Sequence, residues 1–113
     1  MTDIYTGYGW GKTHVGVCGN GDIYKGYGWS KTHVGCYSSD GDVYTGYGWG
    51  KTFVGTFGNG DVYRGYGWSR THVGVYENGS IYKGYGWSRT HVGEYEGEDG
   101  GPAAAALLLL FEE

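Results

Sequence analysis

The stretch that decides the fold is Asp22-Ile23-Tyr24-Lys25-Gly26-Tyr27-Gly28-Trp29-Ser30-Lys31-Thr32-His33-Val34-Gly35. It returns four more times, placing Trp10, Trp29, Trp49, Trp68 and Trp87 in register at spacings of 19, 20, 19 and 19 residues. Self-similarity at a fixed period of this size marks a repeat architecture. The units run 3–21, 22–41, 42–60, 61–79 and 80–98. Each offers two short runs rich in β-branched and aromatic residues, and such runs read as strands. The first strand is expected over Ile/Val-Tyr-x-Gly-Tyr-Gly-Trp and the second over His-Val-Gly-x-Tyr.

Between units stand Asn20-Gly21, Asp40-Gly41, Asn59-Gly60 and Asn78-Gly79. Such pairs accept the positive φ of type I′ hairpin turns. Strand two of one unit should therefore pair with strand one of the next, with Gly/Ser-Lys/Arg-Thr turning the chain inside each unit. The prediction is all-β, about ten short antiparallel strands. An open ribbon would leave two bare edges, which repeat proteins cover with atypical end units. Here the first and last copies are as regular as the middle ones, so a closed five-fold ring is expected. Closure within one chain and closure between chains satisfy the sequence equally.

Composition agrees with this reading. Glycine fills 26 of 113 positions, with 13 Tyr, 5 Trp and a single Pro. Disordered chains are poor in aromatics, and collagen needs glycine at every third place with abundant proline. Leu, Ile, Val and Phe together number only 19. The buried surface is therefore expected to be mostly Tyr and Trp lying over glycine, as when rings cover bare strand backbone at Gly7 and Gly9.

All four Leu lie in one run, Leu107 to Leu110. Gly100-Gly101-Pro102 breaks the repeat, and Ala103 to Phe111 follows as good helix formers behind a proline suited to a first turn. So short a helix is marginal alone, and so apolar a segment exposed to water invites aggregation. It should dock, either on its own ring or on another copy. The chain thus divides into a repeat domain over 1–99 and a hinge and tail over 100–113.

The net charge of −4 gives no reason to expect nucleic acid or an anionic membrane as partner. The longest apolar run, 103–111, is far short of the roughly 20 residues that a helical span needs. No signal peptide is visible, so a cytoplasmic location with reduced thiols is expected. Cys18 aligns with Tyr37 and Cys36 with Val17, adjacent columns on opposite strand faces. No disulfide is expected.

The pattern Gly-Asp-Ile-Tyr-Lys-Gly-Tyr-Gly-Trp-Ser-Lys-Thr-His-Val-Gly over 21–35 resembles the bacterial β-flower repeat domains. The resemblance covers 3–98 and implies hairpin petals around an axis. This chain departs from it by inserting Gly-Tyr-Gly-Trp. A weaker likeness, through Asn59-Gly-Asp-Val-Tyr-Arg-Gly65, is to MORN repeats, which implies an open ribbon. Neither implies a catalytic residue.

Several motifs imitate chemistry. Thr6-Gly-Tyr-Gly-Trp-Gly-Lys-Thr13 approaches a phosphate-binding loop, but the required first glycine is Thr6 and a strand follows where a helix must. His14, His33, His72 and His91 form a column in which the third copy has Phe53. A position that accepts Phe asks for a flat ring rather than a metal ligand. Ser30, Ser69 and Ser88 alternate with Gly11 and Gly50, as small turn residues do.

Two columns remain. One is cationic: Lys12, Lys31, Lys51, Arg70 and Arg89. The other is acidic: Asp3, Asp22, Asp42 and Asp61, with Ser80 last. Solvated turn charges explain both, the acid favouring the turn. A ring of cations beside Trp10, Trp29, Trp49, Trp68 and Trp87 would also suit a carbohydrate or an anion. No catalytic set, metal or cofactor is expected, because five near-identical copies provide only symmetric columns. The expected function is a non-enzymatic scaffold for assembly or protein interaction, with Ala103 to Phe111 as a self-association element. The alternative is a multivalent binder with one Trp and one Lys/Arg per repeat.

Overall fold

A computed structural model describes residues 1–65 and 67–111. Ten strands form one closed antiparallel barrel in which every strand pairs with its chain neighbours and β1 closes on β10. The strands are β1 (Thr2–Thr6), β2 (Thr13–Gly19), β3 (Asp22–Lys25), β4 (Thr32–Tyr37), β5 (Asp42–Thr45), β6 (Thr52–Gly58), β7 (Asp61–Arg64), β8 (Thr71–Glu77), β9 (Ser80–Lys83) and β10 (Thr90–Glu96). The five-fold ring therefore closes within one chain. Its overall extents are 40 × 38 × 24 Å, a thick disc.

At one rim, Asn20, Asn59 and Asn78 have φ of 53°, 51° and 48°, each followed by a positive-φ glycine. These are the expected two-residue turns. The turn at Asp40-Gly41 differs: Ser38 to Gly41 form a longer turn, in which the Gly41 N–H donates to the Ser38 carbonyl at 3.1 Å. The one-residue insertion is absorbed there.

At the other rim the first strands are shorter than expected. They stop at Thr6, Lys25, Thr45, Arg64 and Lys83, before Gly-Tyr-Gly-Trp. Gly7 and Gly9 have φ of 80° and 64°, and their equivalents follow suit. Backbone with such φ leaves the sheet, so Gly-Tyr-Gly-Trp is an out-turned loop with one 3-10 turn, Gly9–Gly11 in the first copy. The Trp rings consequently cover no glycine. They are 105–106 % exposed.

The core is instead built by inverse volumes. Strand one of each unit points Ile4, Ile23, Val43, Val62 or Ile81 into the lumen, each fully buried. Directly opposite sit Gly16, Gly35, Gly55, Gly74 and Gly93 of the second strands. A bulge of one residue in every unit, at Val15 and its equivalents, turns that valine toward the core as well. Ten strands enclose more space than their own side chains fill when every unit presents one bare glycine to the lumen. The tail fills it.

Helix α1 (Gly100–Ala105) enters the lumen from the turn rim and continues as a π-helical segment, Ala106–Phe111. Ala103 to Ala106 are fully buried. They pass the level where the barrel is bulky, at Tyr37, Phe57, Tyr76 and Tyr95. Higher up, where the wall is bare glycine, the tail becomes bulky. A Cβ placed on Gly93 would stand 2.5 Å from Leu107, on Gly74 2.5 Å from Leu108, and on Gly55 2.8 Å from Leu109. The same holds on Gly35 for Leu110 at 2.8 Å and on Gly16 for Phe111 at 2.6 Å. Five consecutive tail residues thus address five consecutive repeats. An α-helix at 3.6 residues per turn cannot spread five neighbours evenly round a five-fold wall, whereas i→i+5 winding comes close. The tail is docked within its own ring.

Candidate outer grooves

The out-turned loops carry the residues singled out as candidate binders. In repeats one, two, three and five the loop bends over the outer face of the preceding repeat. Tyr27 stacks on His14 at 4.3 Å with the rings 2° apart, Tyr47 on His33 at 4.2 Å, and Tyr85 on His72 at 4.3 Å. Tyr8 closes the circle on His91 of the last repeat at 4.4 Å. Each histidine has its other face toward the tyrosine of its own repeat, as His14 does with Tyr5 at 4.9 Å. The histidine column is therefore a flat-ring slot, and Phe53 in the same place packs edge-on to Tyr44 at 5.6 Å.

The cation column lies on those inner tyrosines. The ammonium groups of Lys12, Lys31 and Lys51 stand 4.4 Å from the ring centres of Tyr5, Tyr24 and Tyr44. The guanidinium groups of Arg70 and Arg89 stand 3.9 and 4.0 Å from those of Tyr63 and Tyr82. Such placement holds a long side chain by cation–π attraction. The acid column is not left to solvent. Asp3, Asp22 and Asp61 lie 3.3, 3.1 and 3.1 Å from Nε2 of His14, His33 and His72.

Trp10, Trp29, Trp49, Trp68 and Trp87 each stand two residues before Lys12, Lys31, Lys51, Arg70 and Arg89 in the same out-turned loops. In the fourth repeat Tyr63, Gly67, Trp68, Arg70 and His72 line an open groove of about 490 Å³. It combines an exposed indole, a fixed cation and a polar His–Asp edge. A smaller cavity of about 180 Å³ lies at the lumen mouth above Leu107 and Phe111, edged by Thr6, Val15, Lys25 and Val92. It is the unfilled top of the core.

The sequence reading missed the carboxylates. Glu94 and Glu96 on β10 reach Lys12 at 3.0 and 2.9 Å, and Glu77 on β8 reaches Arg89 at 3.2 Å. Hydrogen bonds from Lys12 hold the Glu94 and Glu96 carboxyls below their ordinary range, and those two acids in turn hold Lys12 above its own. The signal was present as a broken column, because Val17, Cys36, Thr56 and Val75 occupy the place of Glu94.

Cys18 is buried and Cys36 half-buried, both as free thiols. Among the described residues no helix is long and apolar enough to cross a membrane. No protein-family model, curated protein or solved structure gives a significant match to this chain.

Proposed function

We propose that the protein is a non-enzymatic, multivalent binding module whose ligand sites are the outer grooves, one per repeat. The carrying observation is the exposure of Trp10, Trp29, Trp49, Trp68 and Trp87 at 105–106 %. An indole is the largest apolar side chain, and nothing in the barrel's stability calls for presenting five of them to water. The loop glycines with positive φ and, in repeats one, two, three and five, the stacked tyrosines fix the loop backbone that carries the indoles. That is preorganisation, which lowers the entropic cost of binding. Weak sites repeated round a disc gain strength together on a multivalent surface.

The arrangement of out-turned loops about one axis is also in keeping with the likeness to β-flower domains. Assembly is the weaker reading, because the apolar tail that would have driven it is consumed inside its own barrel. Titration of tryptophan fluorescence against a glycan panel tests the proposal. Quenching by a sugar, abolished in a variant with all five Trp changed to Ala that keeps its fold, is the expected result. Absence of quenching across the panel, together with concentration-dependent association that the same variant abolishes, would return the loops to an assembly role.

A further inference from the structure

The five grooves are not equivalent, and the difference names a ligand chemistry. The tyrosine and cation of each repeat border the second strand of the preceding repeat. Opposite Tyr5, Tyr24, Tyr44, Tyr63 and Tyr82 stand Glu94, Val17, Cys36, Thr56 and Val75 in the same register. Two residues further along stand Glu96, Gly19, Ser38, Gly58 and Glu77. The cation of the first repeat is therefore engaged by two carboxylates, and that of the fifth by one. Lys31, Lys51 and Arg70 meet no carboxylate among the described residues and rest only on their tyrosine rings.

Glu94 also displays where an anion sits in such a groove. Its Oε1 accepts from Lys12 Nζ at 3.0 Å, and its Oε2 accepts from the Gly9 N–H at 3.4 Å. The carboxylate is thereby clasped between the cation and the loop backbone, at the residue that precedes Trp10 in the chain. Gly28, Gly48 and Gly67 stand at the place of Gly9 in repeats two, three and four, with the same positive φ.

Resting on the binding-module reading, we infer that the grooves at Lys31/Trp29, Lys51/Trp49 and Arg70/Trp68 take an acidic sugar, a hexuronate. Its carboxylate occupies the position that Glu94 fills in repeat one, and the apolar face of its pyranose ring lies on the indole. Repeats one and five are closed to it by their own glutamates. The module is trivalent for acidic sugars rather than pentavalent.

The indole N–H resonances in a ¹H–¹⁵N spectrum report the five sites separately, once assigned by single Trp→Phe variants. The probes are methyl β-D-glucuronide, the neutral methyl β-D-glucoside, and sodium acetate. The expected result is a glucuronide shift of the Trp29, Trp49 and Trp68 signals alone, with the glucoside at least about tenfold weaker for want of the charge-assisted bonds. Thr56→Glu, which copies Glu94 into the fourth groove, should silence Trp68. Exposed Glu77→Gln should recruit Trp87, and Glu94→Gln with Glu96→Gln should recruit Trp10. Equal shifts of all five signals by both sugars would overturn the trivalent inference and leave the binding-module reading standing. Acetate acting as strongly as glucuronide would make the sites simple anion sites and overturn the sugar assignment. Silence toward every probe, with binding to neutral glycans elsewhere in a panel, would overturn the inference alone. Silence toward every glycan would overturn both.

Discussion

The ammonium of Lys12 lies 3.0 Å from the carboxylate of Glu94, across the seam where the first strand meets the last. Glu96 completes the clasp at 2.9 Å. No other seam between repeats carries two carboxylates on one cation among the described residues. The glutamates distinguish the tenth strand from its sister second strands, so the clasp also marks which ends of the chain belong together. Charge pairs of this kind contribute more to partner choice than to stability.

The clasp makes the barrel acid-sensitive. Unfolded, the Glu94 and Glu96 carboxyls titrate in the ordinary range, and folded they titrate lower because Lys12 hydrogen-bonds to the ionised form. A depressed folded value means the contribution is complete above the unfolded value and is lost as pH falls through the folded one. Thermal melts from pH 7 down to about 3 should show Tm falling below about pH 5, where carboxylates begin to protonate. Glu94→Gln with Glu96→Gln should lower Tm at pH 7, and the gap from the unmodified protein should narrow as pH falls. Parallel curves at all pH values would show that the clasp contributes nothing.

The glycine wall predicts a sharp positional contrast. At Gly74 a Cβ would collide with the Tyr82 carbonyl oxygen and stand 2.5 Å from Leu108 Cδ1. At Gly58 it would meet nothing within 4 Å, and no positive φ forbids it. Gly74→Ala should therefore cost about 1–3 kcal/mol or more by overpacking, while Gly58→Ala should be near neutral or slightly stabilising. Urea unfolding of the two variants checks this. Equal effects would mean that wall backbone and tail both shift to admit the methyl group.

The tail should behave as core. Leu109 is 2 % exposed, so Leu109→Ala should cost about 2–5 kcal/mol. Leu110 is only half-buried and should cost less. Removing 100–113 leaves the lumen unfilled, and the expected outcome is loss of the cooperative melt and gain of dye binding to exposed apolar surface. A truncated chain that melts at the original temperature would show that the barrel stands without its plug.

The thiols should differ in reactivity. Cys18 is fully buried in the position that tyrosine or phenylalanine holds in other repeats, and burial pushes its thiol up to about 12. At pH 8 only about one part in ten thousand is thiolate, the reactive form. An aromatic disulfide reagent should modify one cysteine promptly in the native protein, Cys36, and both in denaturant. Two fast equivalents in the native state would contradict the buried position of Cys18.

Much of this was legible in the chain. The hairpin unit, the Asn-Gly turns and ring closure follow from columns that recur five times, and the docked helical tail from the one apolar run outside them. The flat-ring role of the histidines was legible too, because Phe53 stands in for one of them. The place of Gly-Tyr-Gly-Trp was not. Alternating glycine and aromatic residues suit a strand covered by rings as well as a loop displaying them, and local pattern does not separate the two.

The sequence by itself determined the repeat, its two-strand unit and the need for closure, since these depend on local propensity and on a period that recurs. Only the tertiary structure decided which glycines are covered and by what. Gly7 and Gly9 leave the sheet through positive φ, whereas Gly16, Gly35, Gly55, Gly74 and Gly93 become notches for Leu107 to Phe111. That pairing joins residues far apart in the chain and rests on a volume match round a closed ring, a property that exists only once the barrel has closed.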